Sequence, residues 1–158
     1  MAYAGREPIG WLAVAPRSDY SALERSRFLA ELESRGIEEI FYFQVDNPLV
    51  NVCDPVFLGH QRLAGSQVAS KACRKRHASE KVGVFARSGS RVGVIEYSDL
   101  PEPLMNARAP DGDLLFRAGN IAIHAFSVAF VRELMRGGFR LPYHRAVKAV
   151  THVDASGS

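Results

Sequence analysis

The sequence predicts an α/β fold with a mixed sheet, and three consecutive segments support that prediction. An apolar run from Ile9 to Ala15 ends at Pro16 and predicts a buried strand. Ser18 or Asp19 then predicts the cap of an amphipathic helix that continues to about Arg35, where Gly36 predicts its end. A second buried strand, Ile40 to Val45, completes a strand–helix–strand unit whose crossover should be right-handed.

The second of these strands is aromatic and β-branched, and it ends abruptly at Asp46-Asn-Pro48. Pro48 cannot donate a hydrogen bond to a strand ladder, so pairing must stop there. Open α/β sheets bind their ligands beyond the carboxyl ends of strands, where Asp46 could hold a hard cation or a ribose. Asp46 and Asn47 could instead simply cap a turn, because Asp and Asn side chains do so readily.

The rest of the chain alternates short helices and strands. Asp54-Pro55 predicts the start of a helix that Gly65 ends. Ser88-Gly-Ser90 predicts the turn of a β-hairpin, and Ser127 predicts the cap of a helix that stops at Gly137. The other predicted elements are strands over 67–74, 82–87, 91–97 and 121–126, a short helix over 102–108 and an amphipathic segment over 143–150.

The composition is that of a globular protein with one domain. The 158 residues are enough to bury a core, and they are 47% hydrophobic and 23% charged. The sequence shows neither an apolar run of about twenty residues nor the layout of a signal peptide, so we expect a cytoplasmic protein. Cys53 and Cys73 give no disulfide framework, which fits that compartment. The net charge of +3 suits small polyanions and only weakly suggests nucleic acid.

Two groups of side chains could have functional roles, but a structural role is the better prediction for each. His60 has no second metal ligand one turn later, so we expect an exposed or half-buried histidine. A basic cluster could bind phosphate or RNA, but it lacks the interleaved aromatic residues that stack on bases. We therefore expect a solvated strand end and little effect of Lys75→Ala. The cluster consists of Lys71, Arg74, Lys75, Arg76, His77 and Lys81.

Seven short motifs occur in one order and at one spacing across most of the chain. Taken together they resemble the UDP-N-acetylhexosamine (UDP-sugar) pyrophosphorylases, which are UTP:sugar-1-phosphate uridylyltransferases. The motifs are Arg35-Gly-Ile37, Phe43-Gln-Val-Asp-Asn-Pro-Leu-Val50, Asp54-Pro-Val-Phe-Leu-Gly59, Val82-Gly-Val84, Val94-Ile-Glu-Tyr-Ser-Asp99, Ala118-Gly-Asn-Ile-Ala-Ile-His124 and Leu141-Pro-Tyr-His-Arg145.

The resemblance implies a Rossmann-like, GT-A-like nucleotidyltransferase core with a β-hairpin insertion. Residues 1–158 would then form a single partial catalytic domain. A sugar 1-phosphate, such as that of N-acetylglucosamine or a hexose, would attack the α-phosphorus of UTP and release pyrophosphate. Such chemistry needs alignment and charge neutralisation, so the resemblance implies Mg²⁺ as cofactor. Asp46 matches the metal-coordinating, catalytic aspartate, and one carboxylate is adequate because Mg²⁺ retains several waters.

The resemblance also implies a sugar-binding side. Glu96 and Tyr97 match a pair that meets the sugar, although Glu96 could equally be an exposed strand residue. Asn120 would offer its amide to the sugar or its N-acyl group, and Gly119 would allow close backbone approach. Gly83 matches a glycine near the uridine and sugar, with strand packing as an equal alternative. The residues expected to share one cleft are Asp46, Glu96 and Asn120.

The chain departs from the family pattern on the triphosphate side. The glycine-rich loop that cradles the triphosphate has no counterpart, and Arg17-Ser-Asp-Tyr20 replaces a second glycine-rich loop. We therefore expect a domain truncated at its N-terminal side, and a non-catalytic UDP-sugar-binding module or remnant is the alternative function. Truncation would expose a sheet edge, so a homodimer or a partner chain is expected there. Neither a membrane nor a nucleic acid is an expected partner.

Overall fold

The computed structural model describes residues 27–137, and this range contains both helices and strands, as the sequence predicts. The helices are α1 (Phe28–Ser34), α2 (Pro55–Leu63), α3 (Glu102–Met105) and α4 (Val128–Arg136). The strands are β1 (Glu39–Tyr42), β2 (Val68–Arg74), β3 (Val84–Ser88), β4 (Arg91–Ile95) and β5 (Ala118–Ser127). Helix α1 begins at Phe28 because Arg27 has the left-handed φ of 57°, so the continuous helix predicted from Ser18 or Asp19 to Arg35 is wrong at this point. The part of that prediction before Arg27, the predicted strand over 9–15 and the segment over 143–150 lie outside the described residues.

Strand β5 is the centre of the described sheet, in which every strand pair is antiparallel. Over the described residues the sheet is therefore antiparallel, whereas we predicted a mixed sheet. Strand β2 runs along one edge of β5 for almost its whole length. Two strands share the opposite edge of β5. Strand β1 pairs with the C-terminal part of β5, up to Tyr42↔His124, and β3 pairs with its N-terminal part at Val84↔Gly119. Strands β1 and β3 therefore diverge from each other between His124 and Gly119 of β5, and we call this gap between them the fork.

Strand β1 is shorter than predicted, since it ends at Tyr42 and not at Val45. The backbone turns immediately afterwards, because Asn47 N donates a hydrogen bond to Gln44 O (3.1 Å). This turn leaves the Val45 side chain 91% exposed in spite of its β-branched character. The predicted hairpin is present as β3 and β4, which pair from Val84↔Ile95 to Ser88↔Arg91.

The main apolar core lies where α1 and α4 pack on the sheet. Its buried members are Leu29, Leu32, Ile40, Val128, Val131 and Met135. The predicted cap of α4 is present, because Ser127 Oγ accepts a hydrogen bond from Phe130 N (3.1 Å). An ion pair from Arg132 to Glu33 (2.6 Å) further ties α4 to α1.

Three strands of the described sheet have an unpaired edge. Strands β1 and β2 each pair with β5 alone, and β4 pairs with β3 alone. On β4, Val92 is 68% exposed and Val94 is 40% exposed. The homodimer or partner chain expected to cover a sheet edge stays a prediction. Among the described helices, none has the length and apolar character needed to cross a bilayer.

Candidate functional site

Four of the predicted sugar-side residues meet where β3, β4 and β5 join. Asn120 N donates a hydrogen bond to Gly83 O (2.7 Å), and the next pair along, Val84↔Gly119, brings β3 onto β5. Glu96 directly follows β4, and its carboxylate lies over Gly83: a Cβ built on that glycine would be 3.3 and 3.4 Å from the two carboxylate oxygens. The fold therefore gathers residues that are up to 37 positions apart in the sequence.

The two glycines of this junction have packing reasons to be glycine. A Cβ on Gly119 would lie 3.2 Å from Cys73 Sγ and 3.3 Å from Cys73 O. A Cβ on Gly83 would lie 3.1 Å from Val94 Cγ1 as well as close to Glu96. Strand packing, one of the two readings left open for Gly83, therefore has direct support. The close approach of a ligand to Gly119 stays a prediction.

Asn120 lies at a β-bulge, where its side chain holds the backbone. Its Oδ1 accepts a hydrogen bond from Ala122 N (2.9 Å), and Ala122 has the left-handed φ of 53°. The register between β2 and β5 shifts at this point, between Lys71 and Ala72. Since Oδ1 is engaged with the backbone, Nδ2 is the part of the amide with which Asn120 can meet a ligand as a donor.

Glu96 and Tyr97 were predicted to end a strand over 91–97, but they lie beyond it, since β4 ends at Ile95. Glu96 O accepts hydrogen bonds from Asp99 N (2.9 Å) and Leu100 N (3.2 Å), and these bonds form a tight turn. The Glu96 side chain is exposed and that of Tyr97 is half-buried. Glu96 can therefore reach an incoming ligand, while Tyr97 is partly fixed by its surroundings.

Asp46 lies in the loop over 43–54, which connects β1 to α2. The turn-capping role that the sequence left open for Asp46 and Asn47 belongs to Asn47, whose Oδ1 accepts a hydrogen bond from Leu49 N (3.2 Å). Asp46 is exposed, and within residues 27–137 its carboxylate has neither a hydrogen bond nor an ion pair. An exposed carboxylate without a structural partner is available to a ligand.

The fork in the sheet relates Asp46 to the junction of β3, β4 and β5. Asp46 follows Tyr42 by four residues, which limits its Cα to about 14 Å from that of Tyr42. Along β5, Asn120 precedes the Tyr42 partner His124 by four residues, and Gly83 contacts the same edge. The Asp46 loop and the junction thus leave the sheet at one fork. The single cleft expected from the resemblance stays a prediction, as does the ligand role of each residue.

Other parts of the described chain add two open clefts and exclude one kind of site. A cleft of about 360 Å³ is lined by Arg74, Asp111, Asp113 and Arg117, among others. A second of about 570 Å³ is lined by Glu33, Glu38, Glu39 and Arg62, among others. Neither includes Asp46, Glu96 or Asn120. Within residues 27–137, three or more histidine, cysteine or acidic side chains do not gather as metal ligands anywhere.

Four members of the basic cluster are exposed, as expected of a solvated strand end, namely Arg74, Arg76, His77 and Lys81. Lys71 and Lys75 differ from that expectation. Lys75 is only 5% exposed, and its ammonium group donates to Ala78 O (3.3 Å). Lys71 forms an ion pair with Asp54, and Arg74 one with Asp113, each at 2.5 Å. The expectation that Lys75→Ala changes little stays a prediction. The sequence carried no signal of these contacts, because the acidic partners lie 17 and 39 residues away.

The remaining candidates are one histidine and the two cysteines. His60 is exposed, as predicted, and Cys53 and Cys73 are both free thiols. Burial raises the pKa of the Cys53 thiol, which disfavours the thiolate that a nucleophile would need.

A cluster of three side chains on the sheet went unnoticed in the sequence. His124 on β5 stacks on the Tyr42 ring, with 5.6 Å between ring centroids. Its Nδ1 lies 2.8 Å from Ser70 Oγ on β2, within hydrogen-bond distance. Burial lowers the pKa of His124, so the neutral imidazole is favoured in the folded protein.

This cluster predicts a step in stability with pH. The unfolded chain binds a proton at His124 near pH 6.5, whereas the folded chain resists it. The free energy of unfolding should therefore fall as pH drops below about 6.5, and only modestly because the ring is only partly buried. Urea denaturation between pH 7.5 and 5 should show this step in the wild type and in the exposed control His60→Gln. A step of the same size in His124→Gln would contradict the assignment.

Comparisons with known proteins place this chain in a family. The sequence profile described as UTP–glucose-1-phosphate uridylyltransferase matches residues 18–153. The UDP-N-acetylhexosamine pyrophosphorylase-like protein 1 of Xenopus tropicalis is 40% identical over 152 residues, which cover 93% of this chain and 30% of that protein. The UDP-N-acetylglucosamine pyrophosphorylase of Saccharomyces cerevisiae is 37% identical over 137 residues, or 86% of this chain and 29% of that protein.

Solved structures agree with the sequence comparisons. The crystal structure of the UDP-N-acetylglucosamine pyrophosphorylase from Trypanosoma brucei in complex with an inhibitor superposes with a TM-score of 0.64 at 32% identity, over 70% of this chain and 21% of that one. The chain thus spans about a third or less of the proteins it matches. The profile covers most of the sequence, and the resemblance predicted from seven motifs is confirmed. This chain belongs to the UTP–glucose-1-phosphate uridylyltransferase family.

Proposed function

We propose that this chain acts in uridylyl transfer from UTP to a hexose 1-phosphate, preferably that of N-acetylglucosamine, with release of pyrophosphate. The observation that carries the proposal is the junction where Gly83, Glu96 and Asn120 meet, beside the fork from which the Asp46 loop departs. Relatives at 37–40% identity are named UDP-N-acetylhexosamine or UDP-N-acetylglucosamine pyrophosphorylases, which supports this substrate class. We further propose that the antiparallel sheet is part of a Rossmann-like catalytic domain.

The junction offers complementary groups to a sugar. The exposed Glu96 carboxylate accepts hydrogen bonds from two vicinal hydroxyls, which a carboxylate with two oxygens can do. The Nδ2 group of Asn120 donates to a carbonyl oxygen, such as that of an N-acyl group, because Oδ1 is held by Ala122 N. A sugar without matching groups would cover Glu96 and Asn120 and leave them unpaired, which would reduce its binding relative to the matching sugar.

Asp46 is the residue that would hold Mg²⁺ in this proposal. Its exposed carboxylate suits a cation that takes one or two protein carboxylates and keeps several waters. Bound Mg²⁺ would supply neutralisation of phosphate charge. Asp54, the next carboxylate along the loop, does not fit a ligand role, because its oxygens accept from Val56 N (3.0 Å) and from Lys71 Nζ (2.5 Å).

Calorimetric titration followed by a turnover assay tests the proposal. The protein is titrated with UTP, UDP-glucose and UDP-N-acetylglucosamine in Mg²⁺, and pyrophosphate release is then measured with the matching sugar 1-phosphate. Binding with pyrophosphate release is the expected result. Binding without release would instead support a non-catalytic UDP-sugar-binding module. Absence of binding in well-folded protein would overturn both.

A further inference from the structure

The motif Asp54-Pro-Val-Phe has a role that extends beyond the start of helix α2. Asp54 Oδ1 accepts from Val56 N (3.0 Å), which caps the helix, while Oδ2 accepts from Lys71 Nζ on β2 (2.5 Å). The Lys71 ammonium also lies 5.2 Å from the centroid of the Phe57 ring, within the range of a cation–π contact. One lysine therefore binds both the cap and the first turn of α2.

This contact lies at the end of the loop that carries Asp46. The loop has twelve residues, a length at which irregular connections are usually functional or disordered. Within the described chain, the hydrogen bonds of residues 44–53 stay inside the loop: Asn47 N to Gln44 O and Leu49 N to Asn47 Oδ1. Val45 and Leu49, on either side of Asp46, are 91% and 90% exposed, so their side chains do not anchor the loop.

Both ends of the loop are joined to one cluster. Phe57 packs edge-on against Phe41 of β1 (centroids 6.2 Å apart), and Phe41 contacts Phe43 at the start of the loop (6.0 Å). Lys71 and Asp54 close this cluster at the other end. Their side chains are only 29% and 17% exposed, so the pair is better shielded from water than a surface ion pair.

We propose that Lys71 is a positioning residue, which acts through Asp54 to fix the loop that presents Asp46. The ion pair holds the start of α2 against β2, and the aromatic cluster holds the end of β1 against the same helix. The span between the two ends is thereby set, which restricts the positions open to Asp46. The inference about loop order stands on the contacts alone, and its consequence for Mg²⁺ rests on the proposed function.

Hydrogen–deuterium exchange of the full chain tests the first part. Lys71→Met removes the charge but keeps the aliphatic stem, and Asp54→Asn keeps a good helix cap but removes the charge. Both should raise the exchange rate of peptides covering 43–54 by about threefold to tenfold, because local opening becomes easier. Lys71→Arg should restore most of the protection. The matched control is Arg132→Met, which removes the Arg132–Glu33 pair on α4 and α1 and should leave 43–54 unchanged.

The second part is measured as the Mg²⁺ concentration at half-maximal UTP binding. This should rise severalfold in Lys71→Met and return towards the wild-type value in Lys71→Arg. Unchanged exchange over 43–54 in both charge-removing variants would overturn the proposal. If those variants fail to fold, exchange of the wild type between 0.05 and 1 M NaCl decides, since screening of the pair should speed exchange over 43–54. Failure of the wild type to bind UTP would refute the proposed function and leave the exchange result valid.

Discussion

Asp46→Asn should lower the Mg²⁺-dependent affinity for UTP by about 100-fold or more, the largest effect that we expect on binding. The side chain keeps its size, but the negative charge that attracts a hard cation is lost, and an amide oxygen is a much weaker ligand for Mg²⁺. Because Asn47 caps the turn, the substitution should not disturb the loop. Stability to urea should therefore remain within about 0.5 kcal/mol of the wild type.

Calorimetry in Mg²⁺ and again in EDTA separates the metal-dependent part of the affinity. Glu31→Gln is the matched control, because it removes an exposed carboxylate from α1, away from the fork. That control should bind UTP like the wild type. Retention of full Mg²⁺-dependent binding by Asp46→Asn would remove Asp46 from the site.

Gly119→Ala should lower the free energy of unfolding by about 1–3 kcal/mol, the largest effect that we expect on stability. The new Cβ would lie 3.2 Å from Cys73 Sγ and Val82 Cγ1 and 3.3 Å from Cys73 O. The side chains could shift, but the carbonyl belongs to β2, which pairs with β5 at this position. Relief of the contact would therefore move one strand away from the other.

Gly93→Ala is the control for this substitution. Gly93 also lies in a strand of the same sheet, β4, but its Cβ would meet no atom within 4 Å. Its stability in urea should stay within about 0.5 kcal/mol of the wild type or rise slightly, because alanine restricts the unfolded chain. Equal effects of the two substitutions would show that the packing of Cys73 against Gly119 is not the constraint. A loss of UDP-sugar affinity in Gly119→Ala larger than its loss of stability would indicate ligand contact as well.

Local sequence patterns were sufficient for the elements whose causes are local. The hairpin around Ser88-Gly-Ser90, the cap at Asp54, the cap at Ser127 and the buried face of α1 all depend on neighbouring residues. Their positions agree with the structure to within a few residues. Strand β1 was predicted too long because its β-branched and aromatic residues favour a strand, whereas the turn at Gln44 to Asn47 ends pairing at Tyr42.

The candidate site divides in the same way. Its residues were identified by motifs that the chain shares with a family, and the order and spacing of those motifs are properties of the sequence. Their geometry depends on contacts between distant segments. The meeting of Gly83 with Asn120, the bulge that engages Asn120 Oδ1, and the Glu96 carboxylate over Gly83 all require β3, β4 and β5 to be assembled.

By itself the sequence determined the mixed α/β character, most element boundaries, the family and the residues worth testing, since propensity, capping and motif identity are encoded by adjacent residues. Only the tertiary structure decided that the described sheet is antiparallel and forked, that Asn47 caps the turn, and that Lys71 and Lys75 are engaged with the protein and not with solvent. The reason is physical: strand partners and ion pairs form between segments tens of residues apart. The free energy that selects those contacts comes from burial of the assembled core, which no local pattern contains.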